Sequence, residues 1–319
     1  MRAAAQIQIK TRGKYNFEKL KQQMTLQSMV VPGIIYLVIF SYIPLAGLVI
    51  AFQDFDLYQG VFGSHWVGFK HFIQFFSGDQ FFRLMKNTLC ISLLKLLFGF
   101  PAPIILALLF NEIRQQKTRK AIQTVTYLPH FISWVVVAGM ISSMMAVDGG
   151  TLNNIALKLG WIDKPVNFLS EPKYFRTILV AANVWKTVGF NAIIFIAAIA
   201  GINPELYEAA SVDGATRFKQ MFVVTLPCIV PQIVIMLIMN VSQILNAGFD
   251  DILLLTNNGE NSILLEVGDV LDTYVYRYGI KLQRYSYGTA VGLFKSVVSI
   301  IMLFVANGIS KSLTENSLW

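Results

Sequence analysis

Residues 208–227 read EAASVDGATRFKQMFVVTLP, a charged stretch set between two long apolar runs. Just upstream, Gly201-Ile202-Asn203-Pro204 can end one helix, because proline disfavours helical backbone in the residue before it. Pro204 then suits the first turn of a new helix, with Asn203 as its cap. PELYEAASV would present Leu206, Ala209 and Ala210 as a compact face, and the two alanines let a partner approach closely. Glu208 offers a charge to a cation on that partner, or to its own Arg217. Asp213-Gly214 breaks the helix, since glycine admits positive φ. ATRFKQMFVV restarts it, and Leu226-Pro227 marks the start of the next apolar run. Two short helices divided at Asp213-Gly214 and standing clear of a membrane make a ready docking element. The bland alternative is an ordinary amphipathic loop.

The surrounding composition supplies the membrane. Of 319 residues only 14% are charged and 55% are hydrophobic. The mean hydropathy is +0.57, far from a soluble domain. The sequence predicts an all-α polytopic membrane protein with six spans, at about 29–51, 88–110, 121–146, 177–200, 222–249 and 289–311. Each has roughly 20 or more mostly apolar residues, enough to cross about 30 Å of hydrocarbon at about 1.5 Å per residue. Pro32, Pro44, Pro101, Pro103, Pro129, Pro227 and Pro231 lie in these spans and predict kinks. Residues 1–28 form an N-terminal segment and 29–319 a single transmembrane domain. Cys90 and Cys228 read as buried small hydrophobes, and His65, His71 and His130 lack metal-ligand spacing.

Orientation follows from the basic residues. Arg2, Lys10, Arg12, Lys14, Lys19 and Lys21 precede the first span, and NEIRQQKTRK follows the second. Both termini and the loop at 201–221 then face the cytoplasm. The excess positive charge is topological, which argues against a nucleic-acid partner. TRGKYNFEKLKQQM can be read as a basic amphipathic helix on the membrane surface, or as a solvated positive tag. Three long loops face outward, at about 52–87, 147–176 and 250–288. They mix aromatics with charge, as protein interfaces and interfacial belts both do.

The polar residues within the spans narrow the function. No Asp or Glu lies inside a predicted span, which counts against an ion-coupled secondary sugar transporter and against an embedded hydrolase. No phosphate loop of the form G-x-x-x-x-G-K-[ST] occurs, so the chain is not itself an ATPase. Lys95, Lys186 and Lys295 each cost about 2.5–3.5 kcal/mol at mid-bilayer and need a partner, snorkelling or a wet path. Asn183, Thr187 and Asn191 share one face of the fourth span, with Trp185 and Lys186 beside it. Asn240, Gln243, Asn246, Ala247 and Asp250 form a stripe at the far end of the fifth, and the third adds His130, Ser133 and Trp134. Amides and an aromatic face suit a polyhydroxylated solute. Helix–helix hydrogen bonding would explain the same residues.

The Glu-Ala-Ala, Asp-Gly, Phe218 and Leu-Pro in register resemble the coupling loop of permease subunits in binding-protein-dependent ABC importers. PGIIYLVIFSYIPLAGLVIAFQDF, GSHWVGFKHF, KNTLCISL, YLPHFISWVVVAGM, DTYVYRYG and TAVGLFKSVVSIIMLFVANGIS extend the likeness over residues 20–319 to the oligosaccharide-type permeases, in particular their polysaccharide branch. The resemblance implies a type I ABC importer fold in the bacterial inner membrane. It implies a second, homologous permease subunit, two ATP-binding subunits, an extracytoplasmic solute-binding protein and an oligosaccharide substrate. It also implies that ATP and Mg are bound by the partner ATPase, with no cofactor on this chain. Glu208, Ala209, Ala210, Asp213, Gly214 and Phe218 carry over as the ATPase-coupling residues. Asn183, Trp185, Lys186, Asn191, Asn240, Gln243, Asn246, Trp134 and Lys95 are the candidate substrate path. An alginate-type importer falls within this branch, and Lys95 and Lys186 would suit a uronate; neutral oligosaccharides fit equally well.

Overall fold

The computed structural model describes residues 17–314. Among these residues the fold is α-helical, apart from one short antiparallel ribbon pairing Gln53–Asp54 with His65–Trp66. Five helical spans are continuous: Ser28–Phe52, Phe81–Glu112, Pro172–Ala200, Arg217–Ser242 and Tyr285–Ser312. The Pro172–Ala200 helix is the centre of the bundle. Within its most apolar window 44% of the residues are buried, against 6% in the first span. Lipid or another subunit must therefore cover the first span. The basic stretch before Phe17 lies outside the described residues.

Four expectations need correction. The third span is not one helix over 121–146. Gln116–Phe131 and Trp134–Met144 meet at 97°, with Ile132 and Ser133 in extended backbone between them. Pro129 weakens the last turn of the first piece by removing a donor. Ser133 then caps the second piece, its Oγ accepting the Val136 N–H at 3.3 Å. The fifth span ends at Ser242, not 249, so Asn246, Ala247 and Asp250 lie beyond the helix. The segment expected as an outer loop, 250–288, instead packs into the bundle. Its helices Asp250–Leu255, Ser262–Gly268 and Leu271–Val275 bury Ile252, Leu255, Leu264, Val270 and Leu271. Cys228 is exposed rather than buried, and Cys90 is half-buried; both are free thiols.

Hydrogen bonds pin this segment to the spans. Asn87 Nδ2 donates to the carbonyls of Glu266 and Asp269, and Arg176 donates to Asn87 Oδ1 and the Val267 carbonyl. Thr88 Oγ1 accepts the Leu271 N–H. Asp269 is fully buried and pairs with Arg277, while Thr273 donates to it at 3.0 Å. Burial pushes its carboxyl up, and the Arg277 and Arg83 charges oppose that.

Two apolar clusters stack along the central helix. Ile91, Phe175, Leu179, Ile252 and Leu264 fill the end that holds the 250–288 segment. Ala107, Phe195, Ile199, Met221 and Ile229 fill the end that holds the 201–221 loop. Between them the helix Gln116–Phe131 crosses the central helix at Gly189. A Cβ there would lie 2.1 Å from the Thr126 carbonyl oxygen. Gly189→Ala must separate the helices and is expected to cost about 1–3 kcal/mol. A lowered thermal-unfolding midpoint of the detergent-solubilised protein, relative to Gly33→Ala where the space is open, checks this.

Candidate functional site

A cavity of about 350 Å³ opens inside the bundle. Most of the predicted path residues meet there: Lys95 from the second span, Trp134 from the start of the helix after the break, Asn183 and Asn191 with Thr187 from the fourth span, and Asn240, Gln243 and Asn246 from the end of the fifth and just beyond. Asn183, Thr187 and Asn191 reach the cavity because four-residue spacing keeps them on one helix face. Asn240 reaches it from the last turn of its helix, and Gln243 and Asn246 from the chain just beyond Ser242. Asn240 Nδ2 is committed to the Met236 carbonyl at 2.7 Å, and Asn246 donates to Gln243. Among the described residues, the side-chain amides of Asn183 and Asn191 have no hydrogen-bond partner within the chain.

Two predicted residues are not brought to the cavity. Trp185 is turned outward onto an apolar groove with Leu94, Phe98 and Val184. Lys186 is buried at 7% exposure behind the cavity wall. Its Nζ donates to the carbonyls of His130 at 2.8 Å, Ile132 at 2.5 Å and Pro129 at 3.3 Å. The break leaves the His130 and Ile132 carbonyls without helical partners, while the Pro129 carbonyl also accepts the Ile132 N–H at 3.2 Å. The ammonium also lies 5.6 Å from the Trp134 ring, a cation–π contact. Lys186 is thus the fastening of the break.

Lys95 does line the cavity, but its charge is already matched. Nζ donates to Asp251 Oδ2 at 2.5 Å and to the Ala247 carbonyl at 2.6 Å. Asp251 Oδ1 accepts the Ile252 N–H at 3.0 Å. The pair is largely buried, with 13% and 4% of the two side chains exposed. Gly248, at φ +116°, makes room for it: a Cβ there would fall 2.3 Å from Asp251 Oδ1 and 2.6 Å from Lys95 Nζ. Lys95 and Lys186, the pair expected to suit a uronate, both already have partners within the chain. Asp251 was missed because it follows the predicted fifth span. A lone lysine near mid-span, with an acid at the end of a polar stripe, was the available signal. Lys295 is likewise matched, by Asp272.

At the other end the 201–221 loop has the predicted form. Asn203 caps Pro204–Val212, its Oδ1 accepting the Glu205 N–H at 3.1 Å. The helix ends at Asp213, and Gly214 takes φ +76°. Thr216 caps the next turn, Arg217–Gln220, which runs through a wide π turn, Met221–Thr225, into the fifth span. Glu208, Ala209, Asp213, Gly214 and Phe218 are exposed, and Ala210 is half-buried. Glu208 makes no ion pair with Arg217 among the described residues. The loop is tied to the bundle by Tyr207 Oη and Thr225 Oγ1, 3.0 Å apart.

The chain belongs to the family of inner membrane components of binding-protein-dependent transport systems, matched over residues 99–315. It is thus a membrane-spanning permease subunit of an ABC importer, and in that role a transport subunit. It is 44% identical over 300 residues to Protein LplB of Bacillus subtilis strain 168, covering 94% of this chain and 92% of the relative. It is 43% identical over 301 residues to that organism's polygalacturonan/rhamnogalacturonan transport system permease protein YteP, with the same shares covered. A chain of the solved bacterial alginate ABC transporter, in complex with an alginate pentasaccharide-bound periplasmic protein, superposes with a TM-score of 0.85 at 42% identity. That match covers 96% of this chain and 100% of the other.

Each carbonyl left bare at the break costs about 1–3 kcal/mol. Lys186→Met should therefore lower the unfolding midpoint markedly. Trp185→Ala, one residue away but facing outward, should leave it nearly unchanged; equal effects would remove the fastening role.

Proposed function

We propose that the chain forms part of the translocation path for an oligosaccharide and is driven by a separate ATPase docked on residues 201–221. The observation that carries this reading is the single cavity gathering Asn183, Asn191, Asn240, Gln243, Asn246 and Trp134 from separate elements. Amides, of which those of Asn183 and Asn191 are unpaired, and an indole are the groups that bind hydroxyls and sugar faces. The named relatives support a saccharide cargo, since one is named for polygalacturonan and rhamnogalacturonan transport and another structure holds an alginate-loaded periplasmic protein.

In this reading an extracytoplasmic binding protein delivers the sugar, and a second, homologous permease completes the path. Two ATPase subunits bind ATP and Mg. Both termini and the loop face the cytoplasm, as the basic residues require. The exposed Ala209 and the unpaired Glu208 carboxylate form the docking face. Nucleotide binding shifts the bundle only in so far as the docked ATPase binds its two states with different affinity. A buried carboxylate such as Asp251 could serve an ion-coupled carrier, but here Lys95 holds it.

Gly214→Asp places a side chain at a left-handed φ, and Glu208→Lys reverses the docking charge. Both should leave membrane insertion intact and abolish sugar-stimulated ATPase activity in the reconstituted complex. Stimulation equal to that of the unaltered protein would sink the docking assignment.

A further inference from the structure

The charged groups that line the cavity are Lys95, Asp250 and Asp251. One cation therefore faces two carboxylates, leaving one net negative formal charge. Distribution matters as much as the sum. Two of the three Lys95 donors are taken by Asp251 and the Ala247 carbonyl, and the Asp251 carboxylate cancels its charge. Asp250 is exposed at the cavity wall and has no ion-pair partner among the described residues. The other lysine of this region, Lys186, is consumed by three carbonyls. An arriving carboxylate would find, among the described residues lining the cavity, no unmatched cation and one unmatched anion. A hydroxyl would find the unpaired amides of Asn183 and Asn191.

We infer that this chain's wall of the path discriminates against carboxylate-bearing sugars, with Asp250 and Asp251 as the specificity-determining residues, and that its cargo is a neutral oligosaccharide. The inference rests on the reading of the cavity as the sugar path. Asp251 acts by cancelling Lys95. Asp250 acts directly, by the repulsion a low-dielectric, charge-lined cleft concentrates on a like-charged solute. Gly248 holds the arrangement, since any side chain there would part Lys95 from Asp251.

The cavity's potential can be read without knowing the sugar. In the full importer complex, with Cys90→Ser and Cys228→Ser as background, Asn191→Cys supplies one thiol on the cavity wall. Its reaction rates with a cationic and an anionic methanethiosulfonate are compared, each corrected for the reagent's intrinsic rate. The cationic reagent should react several-fold faster. Asp250→Asn, at an exposed position and safe for folding, should narrow the ratio, and Asp251→Asn, which frees Lys95, should reverse it. A faster anionic reagent in the background protein, or a ratio untouched by both substitutions, would overturn the inference. When neutral and uronate oligosaccharides are offered together to vesicles with the complete transporter, uptake should favour the neutral sugar. Uptake confined to the uronate would also overturn it. Uptake of neither sugar would instead defeat the sugar-path reading, whatever the labelling ratio.

Discussion

A broken helix in a membrane leaves carbonyls with no water to bind, and something in the protein must supply the missing donors. Here the break is at residues 132–133, and the donor is the Lys186 ammonium. Much of the interior follows from that one arrangement. It holds the helix Trp134–Met144 at 97° to its predecessor and so turns the Trp134 indole into the cavity. It draws Gln116–Phe131 against the central helix, where Gly189 permits contact and His130 stacks on Phe190 at 3.9 Å. A lysine that looks functional from its sequence position is thus spent on geometry. The amides beside it are left for the solute.

The fifth span connects the two ends of the molecule. It begins at the 201–221 loop, where Tyr207 and Thr225 join the docking helix to its first turn. It ends at Ser242, where the chain unwinds into the cavity lining and then reaches the Lys95–Asp251 pair. In the proposed cycle, a displacement of the Pro204–Val212 helix travels along one element to the residues that face the cargo. The π turn at Met221–Thr225 is the natural place for that helix to adjust, because its hydrogen bonds are already looser than an α-helix.

Much of this was legible in the sequence. The loop at 201–221 was readable almost residue by residue, because caps, proline and glycine act locally: Asn203, Asp213 and Gly214 have the roles their chemistry dictates. The presence of long apolar helices followed from apolar length, but their ends did not: the fifth stops at Ser242 and the second begins at Phe81. The bend after Phe131 did not, since proline signals a weak point but not an angle. The burial of 250–275 was hidden because its polar and charged residues resemble those of a solvated loop. Their partners, Asn87, Thr88, Lys95 and Arg176, lie far away in sequence. The cavity residues were legible as polar stripes. Separating Lys95, which faces the cavity, from Lys186, which lies behind it, required tertiary structure.

The central claim is that an external ATPase drives a sugar through this subunit. The most direct test is sugar uptake into proteoliposomes that contain the permease pair with or without the copurified ATPase, supplied with loaded binding protein. The account predicts uptake only when the ATPase and ATP are both present, and no effect of collapsing the proton or sodium gradient. Uptake by the permeases alone that follows an ion gradient would contradict it.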